Sequence, residues 1–546
     1  MFKISLGWGV ALWLLAIATA QAAPPFPALY PEPELFQAAL ARKPAPAIPW
    51  RVTGLTVPHH LLAADLIADA FSRLRTQHYH RVIILCPDHF HRSATPFAVS
   101  VRDFQTVLGP VALDREATDR LLACPLVGAS NLFSHEHGVQ ALTPFLAHHV
   151  PKARLVAVAI RATASPKQWK ILATALTPLL DAHTLLVQST DFSHYLTPAE
   201  AARMDQQTLR LVADPDPEKL LRLNQPRHVD CLGALFLQRT LQRDVHHAAP
   251  ITVANRNSQA YATTPVTRST SYMVQYYGPP DALLPGPNRF IFTGDAFFGR
   301  FMAKLLARPG KRTELVRWVR TRTGGVPLVV NLEGVLSPRC PTNPGPYTLC
   351  MPQADTLRLL RDLGVTVAVL ANNHAKDLGP DALRRMAQTL RRVGILPVLA
   401  DQTTDIGPLR LAALTDLDNA DPRRRNLLTR TAINRLITPK QPKPLFVMIH
   451  WGAEFTRKPD PRVLALGKAL TEAGAQCIIG CHPHHAWPLT CDANTCQAWS
   501  LGNFLFDQSR PDADGELLEV RFFPQGTYAL RRLPIGNLYR KLGHHP

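Results

Sequence analysis

Between about Thr53 and Tyr277, short apolar runs (RVIILC, RLVAVAI, TLLVQS) alternate with stretches whose apolar residues recur at helical spacing, HLLAADLIADAFSRL and PKQWKILATALTPLL. This alternation predicts an α/β domain. The segment YYGPPDALLPGPNRF then packs four prolines and two glycines into 15 residues and reads as a linker. Beyond it the alternation resumes with RFIFTGD, PLVVNLEG, VTVAVLANNH, LRLAALTD, PLFVMIHWG, QCIIGCHPHH and AWSLGNFLF, a second α/β unit. Residues 419–443, rich in Arg, Asn and Pro, read as an irregular or partly helical insertion, and ELLEVRFFPQGTYALRRLPI alternates as a β-hairpin. No internal repeat is evident. At 546 residues the chain exceeds what one core usually supports. The expected organisation is a signal peptide at 1–22, a proline-rich lead-in at 23–52, a first domain at 53–277, a linker at 278–288 and a second domain at 289–546.

The opening MFKISLGWGVALWLLAIATAQAAPP places one lysine before an apolar run and a small-residue Ala-Gln-Ala, the pattern of a cleavable secretory signal. No later window offers the roughly 20 unbroken apolar residues of a membrane span, so a periplasmic or secreted protein without a transmembrane segment is expected. Disulfides persist in such compartments. Of nine cysteines, Cys340 and Cys350 flank a turn-rich loop and Cys491 and Cys496 flank DANT, so either pair could close a short loop; an odd count leaves at least one thiol free. The net charge of +19 favours acidic polymers or phosphate-bearing ligands. No nucleic-acid-binding motif is present, and the expected partner is an anionic envelope polymer or its phosphorylated precursor.

In the second unit nearly every apolar run ends in polar residues: Asp295, then Asn331 and Glu333, then Asn373 and His374, then His450, then His482 and His484. The carboxyl ends of strands in an α/β sheet converge on the crevice where ligands bind. Imidazoles, carboxylates and an amide oxygen are the donors of a two-metal hydrolytic site. Taken singly, each is more simply a hydrogen-bonded turn residue.

The motifs FTGDAFFGR, NLEGVLS, LANNHAKDLG, IHWGAEF, IIGCHPHH and SLGNFLFDQ, in that order over about residues 288–510, resemble the poly-gamma-glutamate capsule-synthesis CapA family. That family is a branch of the calcineurin-like metallophosphatase fold, so an α/β/β/α sandwich is expected. The resemblance implies Asp295, Glu333 and His484 around one divalent ion (manganese, zinc or iron) and Glu333, Asn373, His450 and His482 around another, with Asn331 lining the pocket. It implies catalytic work for Asn373 and for His374, as acid or phosphate clamp. Phe297 stands where the wider fold usually has histidine, and Glu333 where it usually has aspartate.

The first unit has its own clusters: His59 and His60 in VPHH; Cys86, Asp88, His89 and His91 in LCPDHFH; His135, Glu136, His137 and Gln140 in FSHEHGVQ; Asp191 and His194 in QSTDFSHYL; Asp230 and Cys231 in HVDCLGAL. Such donors suit iron, copper or zinc, or a satisfied polar network. In order and spacing these motifs resemble the Memo-like family, also called AmmeMemoRadiSam system protein B, related in fold to class III extradiol dioxygenases. The resemblance implies metal binding by His59, His89 and His194, with Asp191, Glu136, His137 and Cys231 lining the same pocket. Cys231 is ordinarily read as a small buried hydrophobe; its motif context makes it a pocket thiol that ligates metal, or reacts if its pKa is lowered.

The leading expectation is an exported metal-dependent hydrolase in capsule or envelope-polymer processing. A non-catalytic polymer-binding factor and a non-haem iron redox enzyme acting through the first domain are the alternatives.

Overall fold

The computed structural model describes residues 23–343, 345, 347–419, 427–436 and 442–543. The expected signal peptide lies outside the described residues, as does much of the 419–443 insertion, of which the helix Arg430–Leu436 is described.

The first domain is built on a nine-stranded sheet with eight strands in the order Ala249–Asn257, Ser269–Gly278, Gly54–Val57, Thr184–Ser189, Arg81–Pro87, Arg154–Ile160, Phe97–Val99 and Val127–Ala129; His194–Leu196 pairs beside Ser269–Gly278. The central strands run parallel and are buried along almost their whole length, which is why they read as unbroken apolar runs. Successive residues face opposite layers. Val82 and Ile84 meet Ile67, Phe71 and Phe145, whereas Ile83 and Leu85 meet Trp169, Leu172 and Leu235. Proline at the first turn and capping boxes at Ser165 and Thr197 start the helices Pro166–Leu176 and Pro198–Ala213.

The proline-rich segment expected to lead in outside the core is instead part of it. Phe26 bridges to Phe104, and Phe36, on the helix Glu34–Leu40, packs its ring 5.4 Å from Phe145; both are fully buried. Two aromatic side chains supply enough apolar area to hold a short, weakly periodic segment in place.

The second domain is an α/β/β/α sandwich. A seven-stranded sheet contains Leu396–Val398, Val365–Val369, Leu328–Leu332, Arg289–Ala296, Glu516–Phe522 and Tyr528–Pro534 in that order, with Asn503–Leu505 also paired to Arg289–Ala296. It faces a six-stranded sheet ordered Gln402–Ile406, Leu409–Thr415, Leu445–His450, Cys477–Cys481, Cys496–Ala498 and Leu489–Cys491. Phe292, Val329, Val367 and Leu518 from one sheet meet Leu411, Phe446, Met448 and Ile479 from the other. The helices Gln353–Leu363 and Pro380–Arg392 cover the outside of the first sheet, and Pro461–Glu472 that of the second. Disulfides join Cys340 to Cys350 and Cys491 to Cys496; Cys86, Cys124, Cys231, Cys477 and Cys481 are free. Among the described residues no helix is long and apolar enough to cross a membrane.

The two domains are not beads on a linker. Helix Pro198–Ala213 of the first packs on strand Tyr528–Pro534 of the second. There Gln206 exchanges hydrogen bonds with the Tyr528 backbone at 2.8 and 3.0 Å, and buried Asp205 accepts from Ser193, Asn255 and Gln525.

Candidate metal centres

In the second domain the strand ends deliver their polar residues to one crevice between the sheets. Asp295 ends Arg289–Ala296, Asn331 and Glu333 end Leu328–Leu332, His450 ends Leu445–His450, and His482 and His484 follow Cys477–Cys481. Gly294 allows this convergence, because the loop before Asn503 crosses directly over it: the Asp295 N–H donates to Gly502 O at 2.9 Å, and a Cβ at position 294 would lie 1.9 Å from that oxygen.

Two groups of possible ligand atoms, each set within 4.8 Å of one another, share a single carboxylate: Asp295, Glu333 and His484, and Glu333, His450 and His482. All five residues are buried. Neither oxygen of Glu333 has a hydrogen-bond partner, which leaves four lone-pair directions open at the point where the groups meet. The other side chains are held from behind. Asn331 donates to Asp295 at 2.7 Å, Asn373 Oδ1 lies 2.8 Å from His450 Nε2, and His484 Nδ1 lies 2.8 Å from Asn503 Oδ1. Asn373 therefore sits beside the second group through His450. His374 has its Nδ1 2.7 Å from Asp377 and its Nε2 3.8 Å from Glu333.

The charges at this crevice are unbalanced in an informative way. Burial and then the Asp295 charge push Glu333 up to about 8. Burial alone would lower His484, yet the Asp295 hydrogen bond and the Glu333 charge hold it up to about 9. Burial and the neighbouring His482 and His484 push His450 well below its ordinary value, into the neutral state a metal ligand needs. Phe297, at the position of the usual histidine, is buried with its ring 5.4 Å from Phe506 and supplies no donor.

In the first domain His59, His89 and His137 form one ligand-like group, and His59, Asp191 and Asp230 a second. Asp230 Oδ2 lies 3.2 Å from His59 Nε2 and 3.8 Å from His89 Nε2. Glu136 caps the helix His137–Gln140 through the Gly138 N–H and takes His89 Nδ1 at 2.6 Å. His89 and His137 stack with ring centroids 3.8 Å apart. Burial would lower His89, but hydrogen bonds to Asp230 and Glu136 hold it up at about 10; burial with the charges of His59 and His89 pushes His137 down to about 3.

Two of the expected residues stand apart from these groups. His194 falls outside both groups, its Nδ1 buried without a partner, its ring against Tyr195 and its strand His194–Leu196 paired with Ser269–Gly278, while its charge still acts on Asp230 and His60. Cys231 is buried, and burial followed by the Asp230 charge raises its thiol pKa, the opposite of what a nucleophile requires. Its neighbour Asp230 carries the polar contacts instead. Asp88 caps its own loop through the Arg92 and Ser93 N–H groups, and His60 meets Tyr272 OH at 2.7 Å. The sequence reading missed Ser189, whose Oγ is 3.2 Å from His59 Nδ1, together with Asp377 and Asn503. A single polar residue inside or just past an apolar run was the available signal for Ser189 and Asn503.

Fold and sites together define a two-domain α/β protein with a candidate metal centre in each half. Residues 34–276 match the family model described as Memo-like protein, and residues 289–405 and 411–508 match that of bacterial capsule synthesis protein PGA_cap, so the chain is a Memo-like domain joined to a PGA_cap domain. It is similar to capsule biosynthesis protein CapA of Bacillus anthracis, 27% identical over 205 residues, 33% of this chain and 50% of that one. It is also similar to PGA biosynthesis protein CapA of Bacillus subtilis (strain 168), 28% identical over 277 residues, 45% of this chain and 70% of that one. The other half is similar to a MEMO1 family protein of Aquifex aeolicus (strain VF5), 25% identical over 230 residues, 37% of this chain and 61% of that one. The chain thus spans only about half the length of the first of these relatives.

Proposed function

We propose that this chain is an exported, metal-dependent hydrolase whose PGA_cap domain acts on an anionic envelope polymer, poly-gamma-glutamate-like in character, or on its phosphorylated precursor. The observation that carries the reading is Glu333: a buried carboxylate with both oxygens unpartnered, shared by two ligand groups. Asp295, Glu333 and His484 would hold one divalent ion and Glu333, His450 and His482 the other, with Asn373 orienting His450. Manganese, zinc and iron all suit this donor set. Bound there, the ions supply Lewis acidity toward a phosphoryl or carbonyl oxygen. Asp377 fixes the His374 ring so that its Nε2 faces the crevice, where it clamps an anionic group or gives its proton to the leaving group. The +19 net charge draws a polyanion toward the protein, and the two disulfides support a periplasmic or secreted location.

Purified protein, loaded with each metal in turn, is assayed for release of phosphate from esters and of amine from gamma-glutamyl peptides. Wild-type hydrolysis that disappears in His450→Ala supports the proposal. Polymer retention without turnover, unchanged in His450→Ala, would replace it with a binding or assembly role.

Asp230, facing both His59 and His89, favours a second reading for the Memo-like half. Two imidazoles and one carboxylate suit non-haem iron with open positions. Iron uptake and dioxygen consumption, both lost in His59→Ala, would support it; protein that takes up no iron would end it.

A further inference from the structure

A second unbalanced set of charges lies outside both ligand groups, where the two domains meet. Arg289, Arg521, Glu519 and Arg531 occupy neighbouring positions on adjacent strands of the seven-stranded sheet, with Arg289 directly opposite Arg521 and Glu519 opposite Arg531. They are 4%, 5%, 3% and 8% exposed in that order. Three guanidinium groups therefore face one carboxylate, and among the described residues Glu519 is the ion-pair partner of all three. Facing like charges across a strand pair repel, and a buried charge without a counter-charge costs several kcal/mol.

The linker answers part of this: Arg521 donates to Leu284 O at 2.7 Å, and Arg531 to Pro280 O at 2.7 Å. Arg289 Nη2, Arg521 Nε, and Arg531 Nε and Nη1 remain buried without a hydrogen-bond acceptor, and Glu519 Oε2, 3.8 Å from Arg531 Nη1, remains without a donor. Arg521, Arg531 and Glu519 line a cavity closed from the first-domain side by Leu209, Val212 and Pro250. Its free volume of ≈ 20 Å³, measured for the centre of a water-sized body, is room for one such body and no more.

We infer that this cavity binds one chloride-sized monovalent anion, held by the guanidinium N–H groups of Arg521 and Arg531 at the junction of the two domains. Phosphate, sulfate and carboxylate side chains are too large for it. Water fits and can bridge Glu519 Oε2 to a guanidinium N–H, but it neutralises none of the excess positive charge of the three arginines over Glu519. An anion there completes the hydrogen bonding of the arginines that grip the linker carbonyls, and so ties linker, Memo-like domain and PGA_cap domain at one point.

The test uses the full chain at constant ionic strength, with chloride exchanged for gluconate, an anion too bulky to enter. The thermal unfolding midpoint of the wild type is expected to rise by about 2 °C or more with chloride and to saturate. In Arg531→Met the saturable rise is expected to vanish. Crystals of the wild type grown in bromide give the decisive measurement, which needs no variant to fold: an anomalous peak between Arg521 and Arg531 is expected. A cavity with water only and no bromide peak overturns the inference, as does a chloride response that persists in a folded Arg531→Met protein.

Discussion

His484 Nδ1 lies 3.3 Å from Asp295 Oδ2, and the same oxygen accepts the backbone N–H of His482 at 3.0 Å. One carboxylate thus ties His482 and His484 of the CHPHH loop to the end of a strand in the opposite sheet. The loop is also strained: His482 and His484 have φ of +99° and +56°, conformations that cost on the order of 1–3 kcal/mol each and persist where surrounding contacts enforce them.

Glu333 is held at this crevice against its own solvation. In metal-stripped protein at pH 7–9, Glu333→Gln is expected to raise stability by about 1–3 kcal/mol, because the amide escapes the burial penalty of the carboxylate. Metal content of the PGA_cap half is expected to fall in the same variant. Denaturant unfolding beside plasma mass spectrometry reads both; a less stable metal-free variant would mean that Glu333 is paired after all.

The raised groups also set a pH dependence. Glu333 at about 8, His484 at about 9 and His89 at about 10 all lie above their unfolded values, so from pH 7 to 9 the folded state holds more protons than the unfolded chain. Metal-free protein is therefore expected to lose stability as pH rises through that window. Urea midpoints at pH 7, 8 and 9 check it, and a midpoint that climbs contradicts the assignment.

Ligand orientation depends on groups behind the ligands. Asn503→Ala removes the oxygen 2.8 Å from His484 Nδ1, and Ser189→Ala removes the hydroxyl beside His59. Each is expected to weaken metal affinity of its own half by about 10–100-fold with the circular dichroism spectrum unchanged. Competition with a chelator of known affinity measures the change; equal weakening in both halves would rule out two separate centres.

Gly294 tests the approach of the strand and loop that aims Asp295. Gly294→Ala places a methyl group 1.9 Å from Gly502 O, a backbone atom that cannot rotate away, so a loss of at least about 1–3 kcal/mol is expected. Thermal unfolding that matches the wild type would show that the loop is free to move.

Phe36 tests whether the proline-rich segment belongs to the core. Phe36→Ala is expected to cost about 3–5 kcal/mol, the range for emptying a buried aromatic site. A loss under 1 kcal/mol would return the segment to the role of a lead-in.

What could be read from the chain alone follows from local chemistry. Strands buried on both faces must be unbroken apolar runs, so RVIILC and FVMIH announce themselves, and the polar residues that end them mark the crevice side of a sheet. Cys340 with Cys350 and Cys491 with Cys496 are close in sequence, so their loops close at little entropic cost. What the tertiary structure decided depends on contacts between distant residues. Which acids and histidines share a site is set by strand order: this brings Glu333 to both ligand groups, puts Asp230 against His59, and leaves His194 outside either group. The docking of helix Pro198–Ala213 on strand Tyr528–Pro534 and the burial of Phe26 and Phe36 leave no periodic trace. A buried partner supplied from far along the chain changes a residue's environment without changing its neighbours in sequence.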